Sequence, residues 1–268
     1  MANKTPLASW LYTKRNELSP SFTELKTTSA LLPGLFDFST EITWNGITAK
    51  GRGLDSHREI ALEKAVAESF ERLICMTKNI DSTGMAVSGG AFDPRVHAKN
   101  ELLERFYLKN HLRNHIPFKS IPAHSKLVAE FKEINPAVGI QFYQMLTPAS
   151  LHGVVCKLQG NGQTSFGFSF SDSLEKAVEL SLVEAIPSFL WLTTKNIELS
   201  DKERPWHVSE SFFQEMTPLL SQTVMETQEA CPAPNVGEVD FDFSEISVFK
   251  NSPLTVARFA ILADGETI

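Results

Sequence analysis

The chain has 268 residues, of which 42% are hydrophobic and 21% are charged, so it can bury a sizeable core. Its formal net charge of −7, without clustered Lys and Arg, argues against a nucleic-acid-binding surface. The first twenty residues lack the apolar run of a signal peptide, and no later stretch is long enough to span a bilayer. We therefore expect a single domain over residues 1–268, located in the cytoplasm, with neither nucleic acid nor membrane as a partner.

Local signals predict hairpins that alternate with helices. Asn-Gly pairs at 45–46 and 161–162 lie between β-prone runs and predict tight turns, because both turn positions need positive φ. The predicted strands lie within 41–53, 82–92, 139–147, 153–160, 164–170, 239–246 and 255–262, and those of 139–170 are expected to form an antiparallel meander. The predicted helices follow capping signals at Ser56, Asp93-Pro94 and Asp172 and end near Lys78, Asn114 and Thr194, with one more over 209–228.

Three of these helices repeat one pattern around a glutamate. The residues seven and three positions before the glutamate share its helical face, and in each copy they are small or are the proline that opens the helix. The three copies are Ala61, Ala65 and Glu68, then Pro94, Ala98 and Glu101, then Ala177, Ser181 and Glu184. Small residues predict that this face packs closely against a neighbour, and we expect the glutamates to point inward.

Two of the helices carry a second glutamate, so that Glu68 with Glu71 and Glu101 with Glu104 form like-charge pairs on one face. Carboxylates brought together raise one another's pKa and destabilise the fold unless cations neutralise them. Mg²⁺ is suited to this role, because it binds a few carboxylate oxygens together with water and substrate phosphate. A single ExxE pair is usually a solvent-exposed feature, but the aligned copies favour a shared site.

Basic residues accompany the acidic pairs. Arg72 and Arg105 each follow a second glutamate, where they are placed to face phosphate or to lock the carboxylates. His111 and His115 are four residues apart on the second long helix, a spacing that zinc ligands use. With no supporting carboxylate or cysteine pattern, an exposed helix end explains these histidines better.

Four segments resemble the YcaO-like family. Residues 82–110 are similar to its signature, a small-residue turn followed by a helix with an ExxER motif, and residues 51–73 are similar to its first glycine-flanked basic residue and ExxER helix. Residues 167–185 resemble the third element and residues 253–262 the closing strand. The resemblance is clearest over 45–192 and 239–262. It implies a YcaO-like α/β fold with internally repeated strand-helix units and a mixed or antiparallel sheet packed by helices.

The resemblance also implies a function. Family members use ATP and Mg²⁺ to activate a backbone amide of a peptide, which yields an azoline by cyclodehydration or a thioamide. No catalytic residue is assigned, since the expected chemistry is charge stabilisation. The predicted metal ligands are Glu68, Glu71, Glu101, Glu104 and Asp93, the last of which is also explained as a helix cap. The predicted ATP- and phosphate-binding residues are Arg52, Arg72, Arg105 and Glu184.

The sequence departs from the family pattern at several positions. Lys64 replaces a serine, Gly89 an asparagine, and Pro187 and Phe189 a glutamine and an arginine. These departures support an alternative function, a degenerate non-catalytic YcaO-like subunit that binds a partner protein or peptide. For the enzyme, the expected partners are a peptide substrate and a separate leader-binding or sulfur-delivery protein, and a homo-oligomer is compatible with either function.

Overall fold

The computed structural model describes residues 6–90, 92–148, 150–194, 209–222, 232–242, 246–250, 252–263 and 266–267. The chain divides into two compact units. The first consists of Met1–Leu102 and Pro234–Ile268, and the second of Leu103–Ala233. The single domain over residues 1–268 remains a prediction.

Helices and strands alternate along the chain. Within the described ranges, the helices are α1 (Pro6–Thr13), α2 (Arg15–Leu18), α3 (Lys26–Leu31), α4 (Arg58–Lys78), α5 (Pro94–Arg113), α6 (Lys126–Ile134), α7 (Leu174–Thr194) and α8 (Glu210–Ser221). The strands are β1 (Ser21–Glu24), β2 (Phe36–Trp44), β3 (Ile47–Asp55), β4 (Met85–Ser88), β5 (Lys119–Ile121), β6 (Gly139–Gln144), β7 (His152–Gly160), β8 (Gln163–Ser171), β9 (Val236–Glu238), β10 (Thr255–Ala263) and β11 (Glu266–Thr267). Among the described residues, no helix has the length and apolar character required to cross a bilayer.

The described strands pair in antiparallel fashion. In the first unit, β1, β2 and β3 form one sheet in that order, while β10 pairs with β4, β9 and β11. In the second unit, β5, β6, β7 and β8 form a sheet in chain order. The predicted meander and the predicted α/β architecture of antiparallel sheets packed by helices are therefore confirmed.

The two long hairpins are built alike. Asn45 and Gly46 have φ of 49° and 79° and join β2 to β3, and Asn161 and Gly162 have φ of 52° and 71° and join β7 to β8. A helix of 21 residues follows each hairpin, α4 after the first and α7 after the second. The internally repeated strand-helix unit is thus present once in each compact unit.

Helix α4 lies directly against the backbone of β3. A Cβ atom at Gly51 would collide with the carbonyl oxygen of Ala65, and one at Gly53 would collide with that of Ala61. Ala61 and Ala65 are fully buried there. No side chain larger than hydrogen fits between this strand and this helix, so the predicted close packing of the small-residue face is confirmed for the first copy.

The other two copies of the small-residue face also pack closely. A Cβ at Gly167 of β8 would collide with the carbonyl oxygen of Ser181 on α7. On α5, Ala98 is fully buried against Ala86 of β4 and Ala257 of β10. Each small-residue face therefore brings its helix onto a strand, and this contact fixes where the glutamate of the same helix lies along that strand.

The capping predictions are confirmed for one helix and wrong for two. Asp93 caps α5 as predicted, because its Oδ1 accepts a hydrogen bond of 2.9 Å from Arg95 N. Ser56 does not cap α4; the N-cap residue is His57, which forms no side-chain cap, and its own N–H donates to Asp55 Oδ1 at 2.9 Å. At α7 the cap is Ser173, whose hydroxyl accepts a hydrogen bond from Lys176 N, rather than Asp172.

Two element boundaries near the end of the chain also differ from prediction. The strand expected over 239–246 lies earlier, at β9, where Val236–Glu238 pair with β10. The backbone N of Val239 still donates to Arg258 O at 2.8 Å, residues 240–242 form no strand, and 243–245 lie outside the described residues. Phe241 is held by packing against the core instead of by strand pairing. The helix expected over 209–228 is described to Ser221, and residues 223–231 lie outside the described part.

His111 is a core residue, so the expectation of an exposed helix end is wrong for it. Its side chain is fully buried and stacks on Phe118 with ring centroids 4.5 Å apart. Its Nδ1 donates to Ile116 O at 3.0 Å, and its Nε2 accepts from Leu146 N at 3.0 Å. Both ring nitrogens are occupied, which leaves neither to bind zinc.

Candidate functional site

The site begins with an arginine held by a buried carboxylate in the first unit. Arg52 on β3 donates from Nε to Asp37 Oδ1 at 2.9 Å and from Nη2 to Asp37 Oδ2 at 2.5 Å. Asp37 on β2 is 1% exposed, and its Oδ2 also accepts a hydrogen bond from the hydroxyl of Thr28 on α3. This fork-to-fork geometry fixes the plane of the guanidinium group.

Glu68 joins this arginine to helix α4. Its Oε2 accepts a hydrogen bond of 2.6 Å from the backbone N of Arg52, and its Oε1 pairs with the guanidinium of Arg72 one turn later on the same helix. Burial raises the pKa of Glu68, although Arg72 and Arg52 both act to lower it. Each oxygen of Glu68 therefore already accepts a hydrogen bond from the protein, which leaves one lone pair per oxygen for a ligand.

Glu71 is the most perturbed carboxylate of the site. Burial raises its pKa well above the usual value, and the neighbouring charges of Glu101 and Glu68 raise it further, while Arg72 acts in the opposite direction. Among the described residues, no donor forms a hydrogen bond or ion pair with Glu71. The predicted crowding of acids from two helices is thus present for Glu68, Glu71 and Glu101.

The negative field extends one turn further along α4. Burial raises the pKa of the Cys75 thiol to about 12, and the charge of Glu71 contributes to that rise. A thiol in this environment stays protonated, so Cys75 is a small core residue rather than a nucleophile, which agrees with its 7% exposure.

The carboxylate oxygens of this site are the kind of ligand that Mg²⁺ prefers. In the part of the chain that the structure describes, no three carboxylate, imidazole or thiol side chains are close enough to form a complete metal site by themselves. Mg²⁺ does not require one, since it commonly takes one or two carboxylates and completes its octahedron with water and phosphate oxygens. Glu71, half-buried and without a donor among the described residues, fits such a ligand, and Glu101 and Glu68 supply the surrounding negative charge.

Asp93 already has a structural role in the first unit. Its carboxylate caps α5, and the side chain is exposed. The N-cap explains its presence ahead of Pro94, as the sequence had suggested.

The remaining predicted site residues belong to the second unit. Glu104 is 14% exposed and lies 4.0 Å from Arg105, which is 31% exposed. Glu184 is exposed on α7, so the expectation that the repeated glutamates point inward is wrong for this copy. Its helix still packs through Ser181 against Gly167, and the buried face of α7 therefore ends short of the glutamate.

Comparison with solved structures identifies the fold. No protein-family model and no curated protein matches the sequence. YcaO from Methanopyrus kandleri, solved with AMPPCP and Mg²⁺, superposes with a TM-score of 0.65 over 94% of this chain and 89% of that one, at 12% sequence identity. The chain has a YcaO-like fold.

Two further structures share this YcaO-like fold. A heterocyclase in complex with substrate and cofactor gives a TM-score of 0.63 at 9% identity; the match covers 96% of this chain and 52% of the heterocyclase, so this chain spans about half its length. A chain of the E. coli microcin synthetase McbBCD complex gives a TM-score of 0.55 at 15% identity, with 91% of this chain and 87% of that one covered. At these identities the likeness concerns the fold.

The departures from the YcaO-like pattern have structural causes. Lys64 forms an ion pair of 2.7 Å with Asp55. A Cβ at Gly89 would lie 2.5 Å from the Cβ of Leu7, so the asparagine that is usual there would not fit beside α1. Phe189 is 3% exposed and packs over Gly160, which makes it a core residue with no means of binding an anion.

Sequence reasoning missed three polar residues of this region. Asp37 and Thr28 hold Arg52 but lie 15 and 24 positions from it in the chain, and no local motif links them. Glu63 is 3% exposed on α4, with its carboxylate beside Gly89. One signal was available: Asp37 stands between two phenylalanines in a β-prone run, and an acid in a buried strand needs a cationic partner.

Proposed function

We propose that this chain is an ATP- and Mg²⁺-dependent enzyme subunit that activates a backbone amide of a peptide, for cyclodehydration to an azoline or for thioamidation. The observation that carries the proposal is Glu71, a half-buried carboxylate to which no described residue donates a hydrogen bond and which is crowded by the charges of Glu101 and Glu68. A fold that retains such an arrangement gains stability when a divalent cation offsets the repulsion. The YcaO-like fold supports the choice of nucleotide, because the M. kandleri structure holds AMPPCP and Mg²⁺.

The contacts of each residue suggest its role in the proposed site. Glu71 and Glu101 would hold Mg²⁺, and Glu68 would orient them while it is itself fixed by Arg52 N and Arg72. Arg52 and Arg72 would contact phosphate in the first unit, while the metal-binding role of Glu104 and the phosphate-binding roles of Arg105 and Glu184, which belong to the second unit, stay predictions. When bound, MgATP would supply the phosphoryl group that makes an amide oxygen a leaving group. The protein contributes positioning and charge stabilisation rather than a covalent nucleophile.

The partners follow from the chemistry and from the related folds. The substrate would be a peptide, and the heterocyclase with bound substrate and the multisubunit McbBCD complex support a peptide site and a partner protein. We expect a separate leader-binding or sulfur-delivery protein, action in the cytoplasm, and no role for nucleic acid or membrane.

Isothermal titration of the protein with MgATP tests the nucleotide site. The wild type should bind MgATP, binding should weaken strongly when EDTA removes Mg²⁺, and Glu71→Gln should weaken it by about 10-fold to 100-fold. Glu59→Gln is a matched control, because Glu59 is an exposed glutamate in the first turn of the same helix. Equal affinity for all three proteins, or no binding by the wild type, would contradict the proposal.

Mass spectrometry separates the enzyme from its non-catalytic alternative. A peptide substrate incubated with the chain, its partner, MgATP and a sulfide source should lose one water per azoline, or exchange one oxygen for sulfur per thioamide. Phe189 lies in the core at the position where the family has an arginine, and this departure is the reason for testing the alternative. Nucleotide binding with no ATP-dependent mass change would assign the chain to that alternative, a subunit that binds a partner or peptide.

A further inference from the structure

We propose that Asp37, supported by Thr28, is a positioning residue that aims the Arg52 guanidinium at a nucleotide phosphate. The inference rests on the proposed function and deepens it, since sequence reasoning assigned no role to either residue. The observation behind it is that the buried carboxylate of Asp37 occupies two of the three guanidinium nitrogens of Arg52, and that no described residue accepts a hydrogen bond from the third.

The contact between Asp37 and Arg52 fixes direction as well as distance. Nε bonds to Oδ1 at 2.9 Å and Nη2 to Oδ2 at 2.5 Å, two parallel hydrogen bonds that allow one orientation of the planar guanidinium. The Asp37 side chain is fully buried, whereas that of Arg52 is 30% exposed. The arginine is therefore anchored from the protein side while its outer edge reaches the surface.

Asp37 is itself held in place. Thr28 donates its hydroxyl hydrogen to Oδ2, and the Thr28 oxygen lies 3.5 Å from Arg52 Nη2, so the three side chains form a closed cluster. The backbone carbonyl of Asp37 also accepts a hydrogen bond of 2.8 Å from Leu25 N, just before α3. A carboxylate fixed by its own strand and by the preceding helix, α3, has little freedom to let the arginine turn.

Arg52 adjoins the acidic cluster through its backbone, which contacts Glu68. Within the described residues Nη1 donates to no protein atom, and the backbone N of the same residue is bonded to Glu68 Oε2 at 2.6 Å. A metal-bound nucleotide at Glu71 would thus meet an arginine that is already oriented. Because Asp37 cancels the charge of Arg52, the pair contributes a directed hydrogen bond rather than net positive charge.

Electrostatics and positioning predict opposite effects of Asp37→Asn on MgATP affinity. Asp37→Asn adds one positive charge to the region, so electrostatics alone predicts tighter binding of MgATP, whereas loss of positioning predicts weaker binding. We expect MgATP affinity, measured by calorimetry, to fall about tenfold. The matched control is Glu41→Gln, which removes the exposed 2.8 Å ion pair to Lys50 on the same two strands and should leave the affinity unchanged.

Two further variants separate positioning from folding. Thr28→Val keeps the shape of the side chain but removes the hydrogen-bond donor to Asp37. This variant should still show a cooperative thermal unfolding transition and should bind MgATP about threefold more weakly than the wild type. In an Arg52→Gln background, Asp37→Asn should have no further effect on MgATP affinity, because Asp37 acts through that arginine.

The outcomes are distinguishable from those of the proposed function. If the wild type binds MgATP and Asp37→Asn binds it equally or more tightly, the positioning role is wrong and the nucleotide site stands. An additive effect of Asp37→Asn in the Arg52→Gln background also overturns the role. A wild type that binds no MgATP overturns both. If Asp37→Asn does not fold, an unchanged affinity in Thr28→Val decides against the proposal.

Discussion

The Glu101 carboxylate on α5 raises the pKa of Glu71 on α4, and it does so more strongly than Glu68, which belongs to the same helix as Glu71. Two helices that are consecutive in the chain thus bring their acids together, although each acid would be better solvated apart. Arg72 opposes this effect but is already paired with Glu68. The arrangement costs stability in the ligand-free protein, and a bound cation would offset that cost.

Removal of the most crowded acid should therefore stabilise the ligand-free protein. We expect Glu71→Gln to raise the free energy of unfolding by roughly 1 kcal/mol in the absence of Mg²⁺, because an uncharged amide neither suffers desolvation of a charge nor repels Glu101 and Glu68. Urea denaturation at pH 7 measures this difference. Glu59→Gln on the exposed start of α4 should change stability by only a few tenths of a kcal/mol. A destabilised Glu71→Gln protein would show that the carboxylate is satisfied without a cation.

The usual family residue should not be tolerated at Gly89. A Cβ there would lie 2.5 Å from Leu7 Cβ and 2.9 Å from Leu7 Cδ2, and Leu7 is fully buried. We expect Gly89→Asn to lower the free energy of unfolding by about 2–3 kcal/mol through overpacking, measured by thermal or urea denaturation. Gly139→Ala is the control, since its Cβ would meet only Gln159 at 3.5 Å. If Gly89→Asn were as stable as the wild type, the departure from the family pattern would need a functional explanation.

The buried histidine of the second unit should make stability depend on pH. Burial lowers the pKa of His111 from 6.5 to about 4, despite its hydrogen bonds to Ile116 and Leu146. Between these two pH values the His111 side chain binds a proton in the unfolded chain but not in the folded one. The stability that neutral His111 contributes is therefore fully present above pH 6.5 and is lost as the pH falls toward 4. The loss should reach roughly 3 kcal/mol at most.

Substitution isolates this contribution. His111→Gln can keep a donor and an acceptor but does not titrate, so its unfolding free energy should change less between pH 6.5 and 4 than that of the wild type. His115→Gln, at an exposed position four residues later, should leave the wild-type pH dependence intact. Identical pH profiles for wild type and His111→Gln would contradict the assignment of a neutral core histidine.

The elements that sequence predicted well are those set by local chemistry. The Asn-Gly turns, the Asp93-Pro94 helix start and the small-residue faces each depend on a few neighbouring residues, and the structure confirms them. The prediction of a strand over 239–246 is wrong for residues 239–242, because alternating Phe and Asp are typical of a half-buried chain whether or not it pairs with a neighbour. Pairing is a long-range property that periodicity does not report.

In the candidate site, too, the residues defined by local patterns were predictable from the sequence, and those defined by long-range contacts were not. Repeated carboxylates on helical faces indicated Glu68, Glu71 and Glu101, and in the first unit the charges of Glu101 and Glu68 act on Glu71. The residues that hold Arg52 were not predictable, since Thr28 and Asp37 reach it through a sheet register and a short helix that only the folded chain defines. The reasons for Gly89 and Phe189 at these positions likewise appear only in the folded chain, where Gly89 packs against Leu7 and Phe189 against Gly160.

The most direct measurement is a crystal structure of the wild type soaked with Mn²⁺ and AMPPCP, with anomalous data that locate the manganese. The account predicts a manganese peak about 2.1 Å from a Glu71 carboxylate oxygen, the distance typical of a Mg²⁺-type site, with an analogue phosphate oxygen on the same ion. A Glu71 carboxylate that contacts no ion while AMPPCP and manganese occupy another part of the chain would contradict it.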